Sequence, residues 1–421
     1  MLIIPSINAL AAARYAAIFF GTFTTFVFFI ILLENIEEMR RIRRYAVTDA
    51  TLPEVTAIIP AYNESDCIGS TIESILDLDY PKNKLNVLVV DDGSTDDTLA
   101  KAKTYEGPHV KALTKKNSGK AASTNYGIKH ATSDYLLIID ADSYLDKGAL
   151  LSMLPYFEDP KVMAVITTIK VYKPATLLES IQMVEYAVGN FLRKILTFIN
   201  SLSLVPACVL MKRQFLTTHG GFDETVLTED YEMGLRIRSH GYKIAQAHDV
   251  SAHTRVPDTL KGLSRQRLRW YYGGYDNIIT YRKFLLNKKY EDFGLFNFPA
   301  TIISIFLTIL LFLYTLYTIG LILYNNILLV HYAGIGVILR GISLSVDFHP
   351  GLNPMPYLLA FCFIASLLTF ALSKRYLGIK KLNFAFFAYL LGYWFIFSFF
   401  SVKALVLYLT GKSPGWKKVR K

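Results

Sequence analysis

The sequence predicts a parallel α/β domain held between apolar helices that cross a lipid bilayer. Three observations carry this expectation. The apolar runs Val55 to Pro60 and Leu85 to Val90 bracket a stretch, Asp66 to Leu78, whose apolar residues Ile68, Ile72, Ile75 and Leu76 fall at helical spacing. Strand, helix, strand at this interval is a βαβ unit, which needs a parallel sheet and a right-handed crossover. Of 421 residues 52% are hydrophobic and the mean hydropathy is +0.31, above the range of an ordinary soluble domain. Long uncharged runs also stand at both ends of the chain, each followed by a basic cluster.

The first such run, Tyr15 to Leu33, is long enough for a hydrocarbon core of about 30 Å. Arg40, Arg41, Arg43 and Arg44 follow it, so the positive-inside bias takes the chain into the cytosol and leaves Met1 outside. The basic cluster follows the apolar run and no small-residue cleavage pattern is evident, which argues against a cleaved signal peptide. The expected organisation is an N-terminal membrane helix with a basic linker (1–45), the α/β domain (46–263), interfacial helices (264–292) and a C-terminal membrane region with a basic tail (293–421). Within the domain, helices are expected over Thr98 to Tyr105, Ala121 to His130 and Gly148 to Tyr156, a strand over Val162 to Val171, and a long amphipathic stretch over Thr176 to Ile199.

In the C-terminal region Leu295 to Tyr324 reads as one span and Met355 to Leu372 as another. Ile327 to Val346 can cross or lie at the interface. Leu382 to Leu409 is apolar except for Lys403, and a simple crossing would place one of its flanking basic clusters outside. A bend near Gly392 that returns the chain to the cytosolic face avoids this, and is the expected arrangement. The formal net charge of +11 gathers beside apolar runs, which favours a cytosolic membrane face over nucleic acid; no nucleic-acid-binding signature is present. Cys67, Cys208 and Cys362 lie far apart, have no metal spacing and suit a reducing compartment without structural disulfides.

Chemistry-bearing residues gather where the expected strands end. The run Leu136 to Ile139 stops at Asp140-Ala141-Asp142. Two acids at a strand's carboxyl end repel each other unless a cation shares them, and a hard divalent metal with oxygen ligands suits the pair; a plain strand-to-turn junction is the alternative. The first strand runs into Tyr62-Asn63-Glu64-Ser65 and the second into Asp91-Asp92-Gly93-Ser94. Tyr62 offers a face for a nucleobase, while Glu64 and Asp91 or Asp92 can accept from an imide or a ribose hydroxyl; helix capping would use the same residue types. Asn117-Ser118-Gly119-Lys120 precedes a helix, and its glycine, helix N-terminus and lysine all favour an anion, although the full phosphate-binding loop pattern is absent. Thr228-Glu229-Asp230 opens a helix expected over Tyr231 to His240, where acids can satisfy the dipole or Asp230 can act as a general base. In Gln266-Arg267-Leu268-Arg269-Trp270, Gln266, Arg269 and Trp270 share one helix face; two guanidinium groups can clamp a diphosphate and the indole can stack on a sugar, whereas a basic aromatic helix could also simply lie on the membrane.

Taken in order, these motifs resemble the processive, membrane-embedded family 2 glycosyltransferases, the synthases of cellulose, chitin, hyaluronan and poly-N-acetylglucosamine. The likeness covers roughly Pro53 to Gly274, and the Gln-(Gln/Arg)-x-Arg-Trp pattern is filled at every fixed position. It implies a GT-A fold, a UDP-sugar donor, Mg²⁺ or Mn²⁺, and an oligo- or polysaccharide acceptor carried through the bilayer. In that scheme Asp142 and Asp140 engage the metal–diphosphate, and Asp92 with Tyr62, Glu64 and Asp91 reads the uridine. Asp230, beside Glu229, is the catalytic base; Gln266 and Arg269 hold the diphosphate, with Lys120 aiding the departing charge; Trp270 stacks on the acceptor. His253 to Pro257 matches a mobile gating loop. Ser203 to Arg213 falls where an acceptor-binding loop belongs, but Val205-Pro206-Ala207-Cys208 lacks the glycine usual there. Single displacement would turn an α-linked donor, N-acetylglucosamine or glucose, into a β-linked product. The expected location is the cell membrane, multi-pass, with the catalytic domain cytosolic. Two alternatives stay open: a non-processive transferase placing one sugar on a polyprenyl phosphate, and a membrane transporter with a nucleotide-sensing domain.

Overall fold

A computed structural model describes residues 7–41, 52–334, 355–378 and 384–414. Its core is an eight-stranded sheet: β1 (Val55–Ala61), β2 (Leu85–Asp91), β3 (Val110–Thr114), β4 (Tyr135–Ile139), β5 (Ser143–Leu145), β6 (Val162–Val171), β7 (Cys208–Lys212) and β8 (Lys243–Thr254), in the spatial order β3-β2-β1-β4-β7-β6-β8-β5. Strands β1 to β4 run parallel to one another, as the βαβ spacing requires. The sheet is nevertheless mixed: β7 lies antiparallel between β4 and β6, and β5 runs antiparallel to β8. In consequence β1, β2, β3, β4, β6 and β8 all end at one edge, and β7 begins there.

All of β1 is buried because helices cover both faces of the sheet. Alternation sends Val55, Ala57 and Ile59 into one core and Ile58 into the other. The helices in chain order are α1 (Ile7–Glu34), α2 (Ile36–Arg40), α3 (Ile68–Leu76), α4 (Thr98–Lys103), α5 (Lys120–His130) and α6 (Ala149–Met153), and the first face is closed chiefly by α3 and α6. The second face is closed by α5, α8 (Arg213–His219) and α9 (Glu229–Ser239). The amphipathic stretch is α7 (Leu177–Phe198), opened by a reciprocal Thr176–Glu179 capping box. The Asn190 amide of α7 splints it to β6, accepting from Ile169 N at 3.0 Å and donating to Ile169 O at 2.6 Å.

Next come α10 (Leu260–Thr280), α11 (Phe298–Ala333), α12 (Met355–Leu377), α13 (Phe384–Ala388) and α14 (Trp394–Leu409). Among the described residues three helices are long and apolar enough to cross a membrane: Tyr15–Glu34, Phe293–Tyr332 and Phe384–Leu409. Helix α11 continues past Tyr324 to Ala333, so the expected break before Ile327 is absent; the rest of the Ile327 to Val346 candidate lies outside the described residues. The expected bend at Gly392 is likewise not found. A π-turn, Tyr389–Tyr393, joins α13 to α14 without leaving helical backbone, so the chain does not reverse there. Arg43, Arg44, Lys380, Lys381 and the basic tail beyond residue 414 lie outside the described residues.

Candidate active site

The sheet edge assembles what the sequence scattered. The loops after β1 and β2 are zipped together: Asn63 N donates to Ser94 Oγ (3.0 Å), Asn63 Oδ1 accepts from Thr95 N (2.8 Å), and Glu64 N donates to Thr98 Oγ1 (2.8 Å). Asn63 takes φ 54, a left-handed conformation that asparagine tolerates, and this leaves Tyr62 beside it 46% exposed. The two acids after β2 are nearly sealed. Asp91, 1% exposed, accepts from Ser94 N and Thr114 Oγ1. Asp92, 3% exposed, accepts from Lys115 Nζ (2.6 Å), Ser118 N (2.9 Å) and Gly119 N (2.6 Å). Desolvation would raise its pKa, but these donors outweigh it and hold the carboxyl below the usual range. Asp92 therefore anchors the Asn117–Lys120 turn, where Gly119 reaches φ +98 before α5 begins.

Lys120, at the head of α5, connects the next two groups of acids. Its Nζ lies 2.5 Å from Asp140 Oδ1 and 3.8 Å from Glu229 Oε1. The approach to Asp140 is not that of a directed hydrogen bond, so this buried oxygen has an ion-pair neighbour but no aligned donor. Desolvation pulls the ammonium's pKa down, while Asp140 and Glu229 outweigh it and raise it. Asp142 has only the distant hydroxyls of Ser143 (3.2 Å) and Thr254 (3.4 Å); burial, then the Asp140 charge, push its pKa up to about 6. Glu64 is raised to about 7, by burial first and then by Asp142 and Asp140.

Helix α9 starts at Glu229, two residues before the expected Tyr231, so both acids occupy its first turn. Burial, then Glu229, push Asp230 up to about 6 against the opposing Lys120 and Arg269 charges. Two close approaches hold this turn. A Cβ on Gly234 would run into the Ser203 carbonyl, and one on Gly273 of α10 would strike Thr228 Oγ1. Asn277 Nδ2 also donates to Thr228 Oγ1 (2.9 Å), fixing α10 to the start of α9. Lys120, Asp140, Ala207, Glu229 and Asp230 line one small cleft.

The two arginines of the QRLRW helix differ in fate. Arg269 lies within electrostatic reach of Asp230. Arg267 is 1% exposed, donates from Nη2 to Glu185 Oε2 (2.7 Å) and stacks 4.1 Å from the Trp270 ring centroid. The expectation that two guanidinium groups clamp a diphosphate does not hold for Arg267, which is spent on an internal partner. Gln266 Oε1 is buried with no hydrogen-bond partner.

Residues 53–273 match the family described as "Glycosyltransferase like family 2". The chain belongs to this family. It is 32% identical over 251 residues to a poly-beta-1,6-N-acetyl-D-glucosamine synthase of Staphylococcus aureus strain MSSA476, covering 58% of this chain and 60% of that one. The synthase of the same name from Staphylococcus epidermidis is 30% identical over 232 residues, covering 53% and 55%. The chain thus spans well under two thirds of these relatives' length. Its fold is that of a GT-A glycosyltransferase: it aligns with the mannosyltransferase PcManGT of Pyrobaculum calidifontis, solved in complex with GDP-Man and Mn²⁺, at a TM-score of 0.55 and 20% identity over 96% of this chain and 98% of that one.

For a family 2 site, the acids suit a divalent cation. The Asp140 charge raises the cost of ionising Asp142, and both have few aligned donors, the condition a hard cation relieves. Among the described residues no group of three or more His, Cys, Asp or Glu side chains forms a metal cage. One contributor escaped the sequence reading: Lys115, which neutralises Asp92, looked like any charge in a turn. Arg255, within the His253 to Pro257 stretch expected as a gating loop, acts electrostatically on Asp142 and Glu64.

Proposed function

We propose that the protein is an inverting glycosyltransferase that moves a sugar from a UDP-sugar to the end of a growing β-linked polysaccharide delivered through the membrane. The observation that carries this reading is the meeting of Asp140, Lys120, Glu229 and Asp230 in one cleft at the carboxyl edge of the sheet. Membership of family 2 and the likeness to poly-beta-1,6-N-acetyl-D-glucosamine synthases support it, and favour N-acetylglucosamine as the transferred sugar.

Tyr62 supplies the stacking face for the nucleobase, with Glu64 and the loop built on Asp91 and Asp92 beside it. Asp142 and Asp140 hold Mg²⁺ or Mn²⁺, which when bound neutralises charge on the diphosphate. Gln266 and Arg269 hold the diphosphate from the α10 side, and Lys120 adds positive charge where negative charge grows. Asp230 accepts the proton of the acceptor hydroxyl, whose oxygen attacks the anomeric carbon from the face opposite the departing UDP. One displacement inverts the anomeric centre. Trp270 stacks on the acceptor sugar. The apolar helices support a membrane protein of several passes, and the basic cluster after the first of them supports a cytosolic domain, with the transferase at 46–263 and interfacial helices at 264–292.

A UDP-release screen across nucleotide sugars, with Mg²⁺ and Mn²⁺ separately, tests the reading on detergent-solubilised protein. Release with UDP-N-acetylglucosamine and a ladder of products is expected. A single lipid-linked sugar would point to a non-processive transferase, and no release with any donor would overturn the proposal.

A further inference from the structure

Arg267 is an unexpected residue to bury. Taking an ion pair out of water seldom stabilises more than apolar residues of the same shape would, so such a pair is better read as a specifier of geometry. Here the geometry specified belongs to Trp270. The guanidinium plane lies between two rings, 4.1 Å from the Trp270 centroid and 5.1 Å from that of Phe397. A flat cation in that slot fixes the indole only if its own N–H groups are held. Glu185 holds one of them, accepting from Nη2 at 2.7 Å, and Tyr393 Oη donates to the same carboxylate oxygen at 3.3 Å. Glu185 sits on α7, which the Asn190 amide splints to β6 of the catalytic sheet. Tyr393 comes from the π-turn of the last apolar helix, where the local widening re-aims a side chain.

We propose that Glu185 is a positioning residue for Trp270, acting through Arg267, and that Tyr393 ties this relay to the last apolar helix. The role rests on the reading of Trp270 as the acceptor-stacking residue. The relay runs from β6 through α7 to Glu185, then Arg267, then the indole three residues further along the same helix face. Without it the indole is free to sample its other staggered wells and the acceptor hydroxyl loses its alignment with Asp230. A lysine cannot replace Arg267, because an ammonium lacks the flat face that packs against the indole while Nη2 reaches the carboxylate.

The test uses the full chain with Trp394→Phe and Trp416→Phe, so that Trp270 is the single remaining indole of the three. In that background Glu185→Met with Arg267→Met removes both charges without stranding either. The expected result is roughly a doubling of the acrylamide quenching constant of Trp270 and about a tenfold fall in kcat, at unchanged KM for the donor, the size of a lost desolvated cation–π contact. Glu185→Asp should recover part of both effects and Arg267→Lys neither. If the double variant does not fold, Glu185→Gln is read the same way, since it keeps an acceptor but loses the charge. Unchanged quenching and kcat in a folded variant overturn the relay. Quenching needs no substrate, so altered quenching alongside a parent protein that releases no UDP would count against the transferase reading and leave the relay standing.

Discussion

The carboxylates after β2 and those after β4 and at the start of α9 occupy one sheet edge, yet their surroundings are opposite. Asp92 has three donors within 2.9 Å and its pKa is depressed. Asp142 and Asp230 have sparse or distant donors, lie next to other acids, and are pushed up to about 6. Acids rich in close donors build the loops; acids poorer in them line the cleft. Arg267 and Arg269 likewise differ in their surroundings, the first bound to Glu185 and the second acting electrostatically on Asp230. Net charge and motif spelling do not distinguish these residues, whereas their surroundings in the fold do.

The largest effect should come from an acid of the cleft. Asp230→Asn is expected to lower kcat by about 10³, within the span of general-base contributions, while UDP binding stays nearly intact. Calorimetric UDP affinity beside UDP-release rates checks this; an equal loss of both would make Asp230 a structural residue and erase the contrast. From the donor-rich side, Asp92→Ala strands the Lys115 ammonium and loosens the Asn117–Lys120 turn. A loss of about 3 kcal/mol in unfolding stability is expected, read as a fall in thermal midpoint. A variant of unchanged stability that no longer binds UDP would instead mean that Asp92 serves the ligand directly.

How much of this was legible in the sequence follows from burial. Strands β1, β2 and β4 announce themselves because both faces are covered and most of their residues are apolar. Strand β8 does not, since Gln246, His248, Asp249 and His253 interrupt its pattern. Strand β7 is five residues long, too short to separate from a loop, and its antiparallel insertion is what turns an expected parallel sheet into a mixed one. The site motifs could be located because strand ends and helix starts are local features. The fate of Arg267 could not, because helical spacing gives a shared face but not a partner 82 residues away in the chain.

A pH profile sharpens the comparison at smaller scale. A base must be unprotonated, so kcat should fall as pH drops through about 6, where Asp230 gains its proton in the folded protein. Glu229 is the second cause of that raised value, after burial, and both act in the same direction. Glu229→Gln removes a neighbouring negative charge, so the acid limb should move to lower pH. A limb that stays put would mean that another group, not Asp230, controls it.

The smallest expected effect concerns Ala207, which lines the same cleft and accepts from Asp140 N at 3.0 Å. It takes φ 28, on the left-handed side where a Cβ is crowded, at the position where the sequence lacks the glycine usual in the family's acceptor loop. Left-handed backbone costs an L residue about 1–2 kcal/mol. A glycine returns part of that gain through its greater freedom when unfolded, about 0.5–1 kcal/mol. Ala207→Gly should therefore stabilise the domain by somewhat under 1 kcal/mol, a rise of about 2 °C in thermal midpoint. It should not raise kcat, because the strained carbonyl is what positions the Asp140 backbone beside Lys120. A fall in midpoint would show that the methyl group's packing in the cleft outweighs the strain of its backbone, and would place Ala207 among the structural residues of this edge.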